Sequence, residues 1–483
     1  MMIEARWPNI ADSDDLLNRA DFRLVLKDGW ISGEGTTILD PGIPEIPGGW
    51  TGGTIWALGW YVPGSSTITS SSAGQIKFPL VRGEKHRGFY YLTGRLGALD
   101  TEKEWFYDGN YLYLWLPGGR TPANVEVKMR NYAFDLSEKS YITIRNISMF
   151  ASTVTTNSNS TNIVLDRLKI LYNNHFITIP NTQSTQAHIN ETGVRLMGAN
   201  SIIINSIIAY GAGQGIVLGA KGCVAENNLV HDVSYGGTYC CGIMPTRDDA
   251  PQTITHNTIY RTGRSGIDGI GSNKDIGYND IYDFGLINTD LGAIYSANSL
   301  NLSGTRIHHN WLHDAKNDNN HHYPVGAGIY LDQNAKPVQI DHNVFWNNNK
   351  NDIRIQQDSV PFSKVYNNTL ASNPSDLWFS FHSYRDSCPN NSKNNIYCSS
   401  IKPELPGSNE ITSQTNPLFV NPSAGGLGFR LQMGSPAIDH GQVIEGVTEG
   451  FQGNSPDAGA YEFNGKEWKA GVLINLGPLL SKP

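Results

Sequence analysis

Two acidic motifs carry the residue types from which a bond-breaking site could be built: Thr289-Asp290-Leu291-Gly292-Ala293-Ile294-Tyr295 and Gly328-Ile329-Tyr330-Leu331-Asp332-Gln333. Two carboxyl groups facing each other across a groove are what glycosidic hydrolysis needs, one as proton donor and the other as nucleophile or base. Neighbouring segments extend the pattern: Gly266-Ile267-Asp268, Asp352-Ile353-Arg354-Ile355 and Asp376-Leu377-Trp378-Phe379. Side chains alternate along a strand, so Ile267, Ile294, Ile329, Ile353 and Leu377 form one column pointing into a core. The other column, Asp268, Tyr295, Tyr330, Arg354 and Trp378, then faces out. Aromatic faces stack on sugar rings while Asp and Arg hold hydroxyls, so this exterior stripe suits a polysaccharide. Parity sets a condition. Asp290 precedes Ile294 by four residues and Asp332 follows Ile329 by three, so the two acids meet only if the chain turns or bulges before Gly292. Asp268 is the substitute otherwise. Taken singly, each acid also reads as a solvated turn residue.

Such columns need stacked strands, and a degenerate repeat supplies them. The pattern Asn-x-(Ile/Leu/Phe) begins at Asn205, Asn227, Asn257, Asn279, Asn310, Asn343, Asn368 and Asn394, recurring every 22 to 33 residues. A period in that range marks a solenoid whose units bury their apolar side only by stacking. Within each unit short β-rich runs alternate with Gly, Asn and Asp, so the expected fold class is all-β, a right-handed parallel β-helix with strands pairing from coil to coil. An Asn at one corner tolerates the left-handed conformation and can bond along the stack. Residues 131–400 are assigned to the β-helix with the active-site groove. Residues 1–130, with aromatic runs such as Gly88-Phe89-Tyr90-Tyr91-Leu92, form an N-terminal β-rich subdomain, and residues 401–483 a C-terminal cap over the last apolar layer.

Composition agrees. The chain has 483 residues, 39% hydrophobic and 17% charged, enough for a large core. Its 51 Gly and 24 Pro favour turns over long helices. A net charge of -8 leaves no basic footprint for nucleic acid or anionic membrane, and no apolar run approaches the roughly 20 residues that span a bilayer. The opening Met1-Met2-Ile3-Glu4-Ala5-Arg6 lacks a basic segment followed by an apolar one, so either the protein stays in the cytoplasm or the true start lies upstream. The five cysteines include no CxxC pair, which leaves at most a Cys388–Cys398 bridge and otherwise idle buried thiols. His308-His309, His313 and His321-His322 cluster, and His231-Asp232 and His313-Asp314 recur after the Asn corner, as corner residues that bond locally. No zinc motif is present. Asn317-Asp318-Asn319-Asn320 could offer oxygens to Ca²⁺ without an EF-hand pattern, and the expected chemistry requires no cofactor.

The runs Ala98-Leu99-Asp100, Glu104-Trp105-Phe106-Tyr107-Asp108 and Leu112-Tyr113-Leu114-Trp115, together with the two acidic motifs, resemble the right-handed parallel β-helix proteins of glycoside hydrolase family 141. Ala5-Arg6-Trp7-Pro8-Asn9 is similar to a segment that follows a signal peptide in such proteins. The ending Pro456-Asp457-Ala458-Gly459-Ala460-Tyr461-Glu462 resembles the tail of secreted bacterial β-helix proteins. The resemblance implies a retaining glycosidase, α-L-fucosidase- or xylanase-like, acting on plant or bacterial polysaccharide or oligosaccharide and secreted or periplasmic. Asp290 and Asp332 would be the catalytic pair, with Asp268, Tyr295, Tyr330, Arg354 and Trp378 binding substrate. Two other readings fit the same scaffold. A polysaccharide lyase or uronate epimerase would need a cation or amide on the uronate and a Lys, Arg, His or Tyr base. A glycan-binding fibre or adhesin would cut nothing.

Overall fold

Runs of three to six residues rich in Ile, Val and Leu, each ended by a residue that can take positive φ, favour strands that turn sharply and stack. In the computed structural model, which describes residues 2–12, 15–25, 30–33, 35–58, 61, 64–79, 88–175, 192–316, 326–333, 335–356, 363–372, 377–380, 391–398 and 408–473, they do so. Three parallel sheets of ten strands each run the length of the solenoid. The first extends from Tyr132–Asp135 to Leu377–Ser380, the second from Thr143–Arg145 to Ser392–Lys393 and the third from Ser148–Phe150 to Ile396–Tyr397. The chain is a right-handed parallel β-helix, the sense that crossovers between parallel strands take. Aliphatic columns fill its interior without solvent exposure: Ile267, Ile294, Ile329 and Ile353 from the first sheet, Ile254, Ile276, Ile307 and Ile340 from the second, Ile259, Ile281, Leu312 and Phe345 from the third.

The corner between the second and third sheets corrects the expectation of one Asn with two roles. Two consecutive residues divide the work. The left-handed position is held by Asn205, Asn227, His256, Tyr278, His309, His342, Asn367 and Asn394, with φ between 48° and 58°. The residue after each forms a buried amide ladder, starting from Ser206 and running through Asn228, Asn257, Asn279, Asn310, Asn343, Asn368 and Asn395. In each step the side-chain oxygen accepts the backbone N–H of the ladder residue one coil earlier; Asn279 donates to Asn310 Oδ1 over 2.8 Å from its backbone and 3.0 Å from its side chain. Asn205, Asn227 and Asn394 therefore sit one residue before the ladder. His and Tyr at the left-handed position stack along the axis, His256 on Tyr278 and Tyr278 on His309 at 4.8 Å, His309 on His342 at 4.7 Å. His231 and His313 bond the adjacent Asp232 and Asp314 at 2.7 and 2.5 Å, as local corner contacts.

Upstream, strand Gly88–Thr93 pairs antiparallel with Thr54–Leu58, Arg6–Trp7 and Arg23–Val25. One face of this sheet buries Trp50, Ile55, Ala57, Tyr90 and Leu92. The other, with Trp56, Leu58, Phe89 and Tyr91, packs on Ile287, Leu286 and Tyr235 of the coils. Downstream, Ile411 bridges to Ile396 of the last coil and joins Leu431, Ala437 and Ala458 in an apolar cluster there. The segment then returns along the outside of the solenoid: Trp468 meets Tyr278 and His309, and Leu473 N–H reaches Asn227 Oδ1 at 2.7 Å. Among the described residues no helix is long and apolar enough to cross a membrane.

Candidate active site

Six strands of the first sheet frame the site: β1 (Cys241–Met244), β2 (Ser265–Asp268), β3 (Leu291–Ser296), β4 (Gly326–Leu331), β5 (Asn351–Gln356) and β6 (Leu377–Ser380). Their register pairs Ile267, Ile294, Ile329, Ile353 and Leu377 in one row and Asp268, Tyr295, Tyr330, Arg354 and Trp378 in the next. Both rows are those expected from alternation. The exposure of the second row is not: Asp268, Tyr295, Tyr330 and Arg354 are buried, at 4%, 4%, 1% and 7%. They project from the outer face but pack into a cluster of their own, in which Tyr295, Tyr330, Ala297 and Ala327 join Tyr239. Trp378 belongs to β6 by backbone pairing, and its side chain lies outside the described residues. So do Asn317–Asn320, His321, His322 and Cys388.

The condition on Asp290 is met by its backbone. Asp290 has φ 58°, a left-handed residue immediately before β3, and this turn replaces the parity of an extended strand. Gly292 follows because a Cβ there would lie 2.6 Å from the Ile294 carbonyl oxygen and 3.0 Å from the Tyr330 nitrogen. Asp332 sits just past the end of β4, one coil on, where its N–H bonds the Ser296 carbonyl at 2.8 Å. Burial pushes the Asp290 carboxyl up to about 6, and the nearby charge of Asp332 pushes the same way. Arg264, Arg354 and the Tyr330 hydroxyl oppose the rise. Asp332 is also raised by burial, with the hydroxyls of Tyr295 and Tyr330 acting against it. The Tyr330 hydroxyl thus serves both acids, and it accepts from Gln356 Nε2 at 2.7 Å. Tyr295 donates to Asp332 Oδ2 at 2.9 Å. Asp290 Oδ1 is buried without a hydrogen-bond partner among the described residues.

Asp268 is committed elsewhere, as the ion partner of the wholly buried Arg264. The Arg264 guanidinium lies 3.7 Å from the Tyr239 ring centre and 4.9 Å from that of Tyr295. Arg354 lies 4.9 Å from the ring centre of Tyr330. Sequence reading missed Arg264, Tyr239 and Gln356. Gln356 follows Arg354 by two places, on the same face of β5, so alternation alone could have found it. Arg264 and Tyr239 enter from loops ahead of their strands, where periodicity carries no signal. Among the described residues one group of potential metal donors appears, His309, Asp341 and His342, with ligand atoms within 4.8 Å of one another. Both Asp341 oxygens already bond Arg306, at 2.8 and 2.6 Å. The two imidazoles are stacked with planes 14° apart, so their in-plane lone pairs cannot converge on one ion.

No protein-family model matches this chain, and no curated protein matches it. Among solved structures it is similar to one described as a glycoside hydrolase, at 12% identity over 78% of this chain and 75% of that one, with a TM-score of 0.48. It is similar to a pectate lyase at 14% identity over 65% of this chain and 88% of that one, TM-score 0.37. Its likeness to XylC in complex with xylose is 13% identity over 81% of this chain and 64% of that one, TM-score 0.32. At these identities and scores the likenesses are distant, and the fold rests on the strand pairing described above.

Proposed function

We propose that this protein is a retaining glycoside hydrolase acting on a polysaccharide or oligosaccharide, with Asp290 as general acid and base and Asp332 as nucleophile. The observation that carries the reading is that Asp290, directly before β3, and Asp332, directly after β4, stand on adjacent coils around the paired Tyr295 and Tyr330. Retention is what the family resemblance implies, and it requires the two carboxyl groups to stand about 5 Å apart. The proton inventory supports the division of roles. Tyr330 accepts from Gln356, and Asp332 accepts from Tyr295, which favours its carboxylate form, while burial raises Asp290 to about 6. Two neighbouring acids, one raised to about 6 by burial and the other bonded by the Tyr295 hydroxyl, suit an acid and a nucleophile. The resemblance to glycoside hydrolase family 141 implies the same two residues as its catalytic pair, which supports the reading.

In this reading the sugar occupies the space between Asp290 and Asp332. Asp332 attacks the anomeric carbon as Asp290 protonates the departing oxygen, giving a glycosyl ester on Asp332. Asp290, now ionised, takes a proton from water, which releases the sugar and restores both groups. The residue types at hand, two acids on adjacent coils, favour hydrolysis over uronate chemistry. A lyase base is harder to place, since the Tyr295 hydroxyl is raised well above its usual range by burial and an arginine holds its proton.

The test is a screen of aryl glycosides and polysaccharides that reads reducing ends and the product anomer together. Hydrolysis with retention, lost by about 10³-fold or more in Asp290→Asn and Asp332→Asn with the fold intact, is expected. Absorbance of an unsaturated product near 235 nm without water addition, or full turnover in Asp332→Asn, would overturn it.

A further inference from the structure

Arg264 is the one wholly buried arginine of the described residues. It stands one residue before β2, on the coil preceding the one that carries Asp290. Its Nη1 donates to Ser265 Oγ at 3.1 Å and pairs with Asp268, and its Nη2 donates to the main-chain oxygen of Asp290 at 3.3 Å. The guanidinium also lies over the rings of Tyr239 and Tyr295, so ring contacts as well as hydrogen bonds hold it in place. Burying an ion pair is a poor way to gain stability, because desolvation offsets most of the attraction. Meanwhile the residue whose carbonyl it holds is Asp290, a non-glycine in the left-handed region, which costs about 1 kcal/mol or more unless neighbours hold it.

We infer that Arg264 is a positioning residue of the reaction: it pins the left-handed turn at Asp290, so that the carboxyl is aimed at the leaving oxygen, and its charge sets the pH range in which that carboxyl keeps its proton. The inference rests on the reading of Asp290 as the acid. Asp268 and Tyr239 are part of the same device, since they hold the guanidinium at that distance. Tyr239 in turn meets Tyr61 of the N-terminal β-rich region at 6.4 Å, so the anchor reaches across to the covering sheet. The charged and titratable groups facing Asp290 are Arg264, Arg354, Asp332 and Tyr330, with Tyr239, Asp268 and Tyr295 around Arg264 and Arg247 acting on Asp268. Arg264 also bonds the Asp290 main chain.

The role is tested with Arg264→Met and Arg264→Lys in the full chain, through kcat/KM against pH on an aryl glycoside and through backbone amide exchange at residues 290–292. With the cation gone, Asp290 holds its proton to higher pH, so in Arg264→Met the alkaline limb should move up by about one pH unit while kcat falls at least tenfold. In Arg264→Lys the charge remains and the fork is lost, so kcat should fall with the limb close to its original place. Both variants should exchange faster at Leu291 and Gly292. An alkaline limb unmoved in Arg264→Met, or unchanged exchange at 290–292 in both variants, overturns the role. If Arg264→Met does not fold, Arg264→Lys carries the exchange and kcat arms alone. If the unaltered protein hydrolyses no glycoside, the reading of the reaction falls, and amide exchange still decides whether Arg264 holds the Asp290 turn.

Discussion

The hydroxyl of Tyr295 donates to Asp332 Oδ2 across 2.9 Å, from one coil to the next, while the Tyr295 ring meets Tyr330 edge-on at 5.3 Å and 79°. The ring contact fixes the hydroxyl, and the hydroxyl favours the ionised carboxylate against the burial that raises it. Tyr295→Phe keeps the ring and removes one charge-assisted bond. The expected result is a fall in kcat of about tenfold, from a loss of roughly 1.5 kcal/mol. Because Asp332 must be ionised to attack, and its carboxyl rises further without that bond, the acidic limb of the rate profile should move to higher pH. A variant with reduced rate and an unmoved acidic limb would mean that Tyr295 only packs.

Asp290 bears on the opposite limb. Its carboxyl, raised by burial to about 6, must carry a proton to act as acid, so turnover falls as pH rises through that value. The rate profile of the unaltered protein should therefore decline on its alkaline side near pH 6. A plateau extending well above pH 8 in kcat/KM would contradict the assignment of Asp290 as the acid.

Much of this was legible in the chain, for identifiable reasons. Alternation with period two and a repeating corner are properties of single strands and single turns, so the two rows from Asp268 to Trp378 could be read without knowing how coils close. Burial of the second row could not. It depends on what packs against the outer face, and Tyr239 comes from a loop whose length varies between coils. The Asn corner illustrates the same limit at one-residue scale. In Asn227-Asn228 and Asn394-Asn395 the motif matches the first of the pair and the ladder uses the second, whereas in Asn367-Asn368 both fall on the second. The His and Tyr residues that replace Asn at the left-handed position are invisible to a motif built on Asn. The site acids were found because their motifs are chemically distinctive, whereas Arg264 looks like any arginine after a glycine.

The amide ladder makes a prediction about stability. Asn310 is fully buried, accepts from the backbone and side chain of Asn279, and donates to Asn343 Oδ1 at 2.9 Å and the Ile276 carbonyl at 3.0 Å. Asn310→Ala strands donors on one side and a carbonyl on the other in a place water does not reach. It should lower unfolding stability by about 2–3 kcal/mol, read as a shift in denaturant midpoint with unchanged slope. Asn205→Ala, at the half-buried left-handed position of an early coil, loses the bond it donates to Asp166 Oδ1 at 2.9 Å and the one it accepts from Asn227 at 2.7 Å, where water can substitute, and should cost about 1 kcal/mol. Equal losses at the two positions would mean that the ladder contributes nothing beyond backbone conformation.

A last prediction separates the two halves of the corner chemistry by pH. His313 is held between Asp280 and Asp314, at 3.1 and 2.5 Å, and stacks on Tyr282 at 5.0 Å and Trp346 at 3.8 Å. Burial by itself would lower its imidazole, but the two carboxylates outweigh burial and the net direction is up. A raised folded value means that the charged imidazole stabilises the fold fully below the unfolded histidine value of about 6.5, and that this contribution is lost as pH rises through the folded value. Asp314 runs the other way. Its carboxyl is lowered, chiefly by the His313 hydrogen bond, so its contribution is lost as pH falls. The unfolding free energy of the unaltered protein should therefore exceed that of His313→Gln by a margin that is large at pH 6 and shrinks toward pH 9. Denaturant melts of both proteins at the two pH values measure it. A margin that stays constant would show that His313 acts through its stacking on Trp346 and not through its charge.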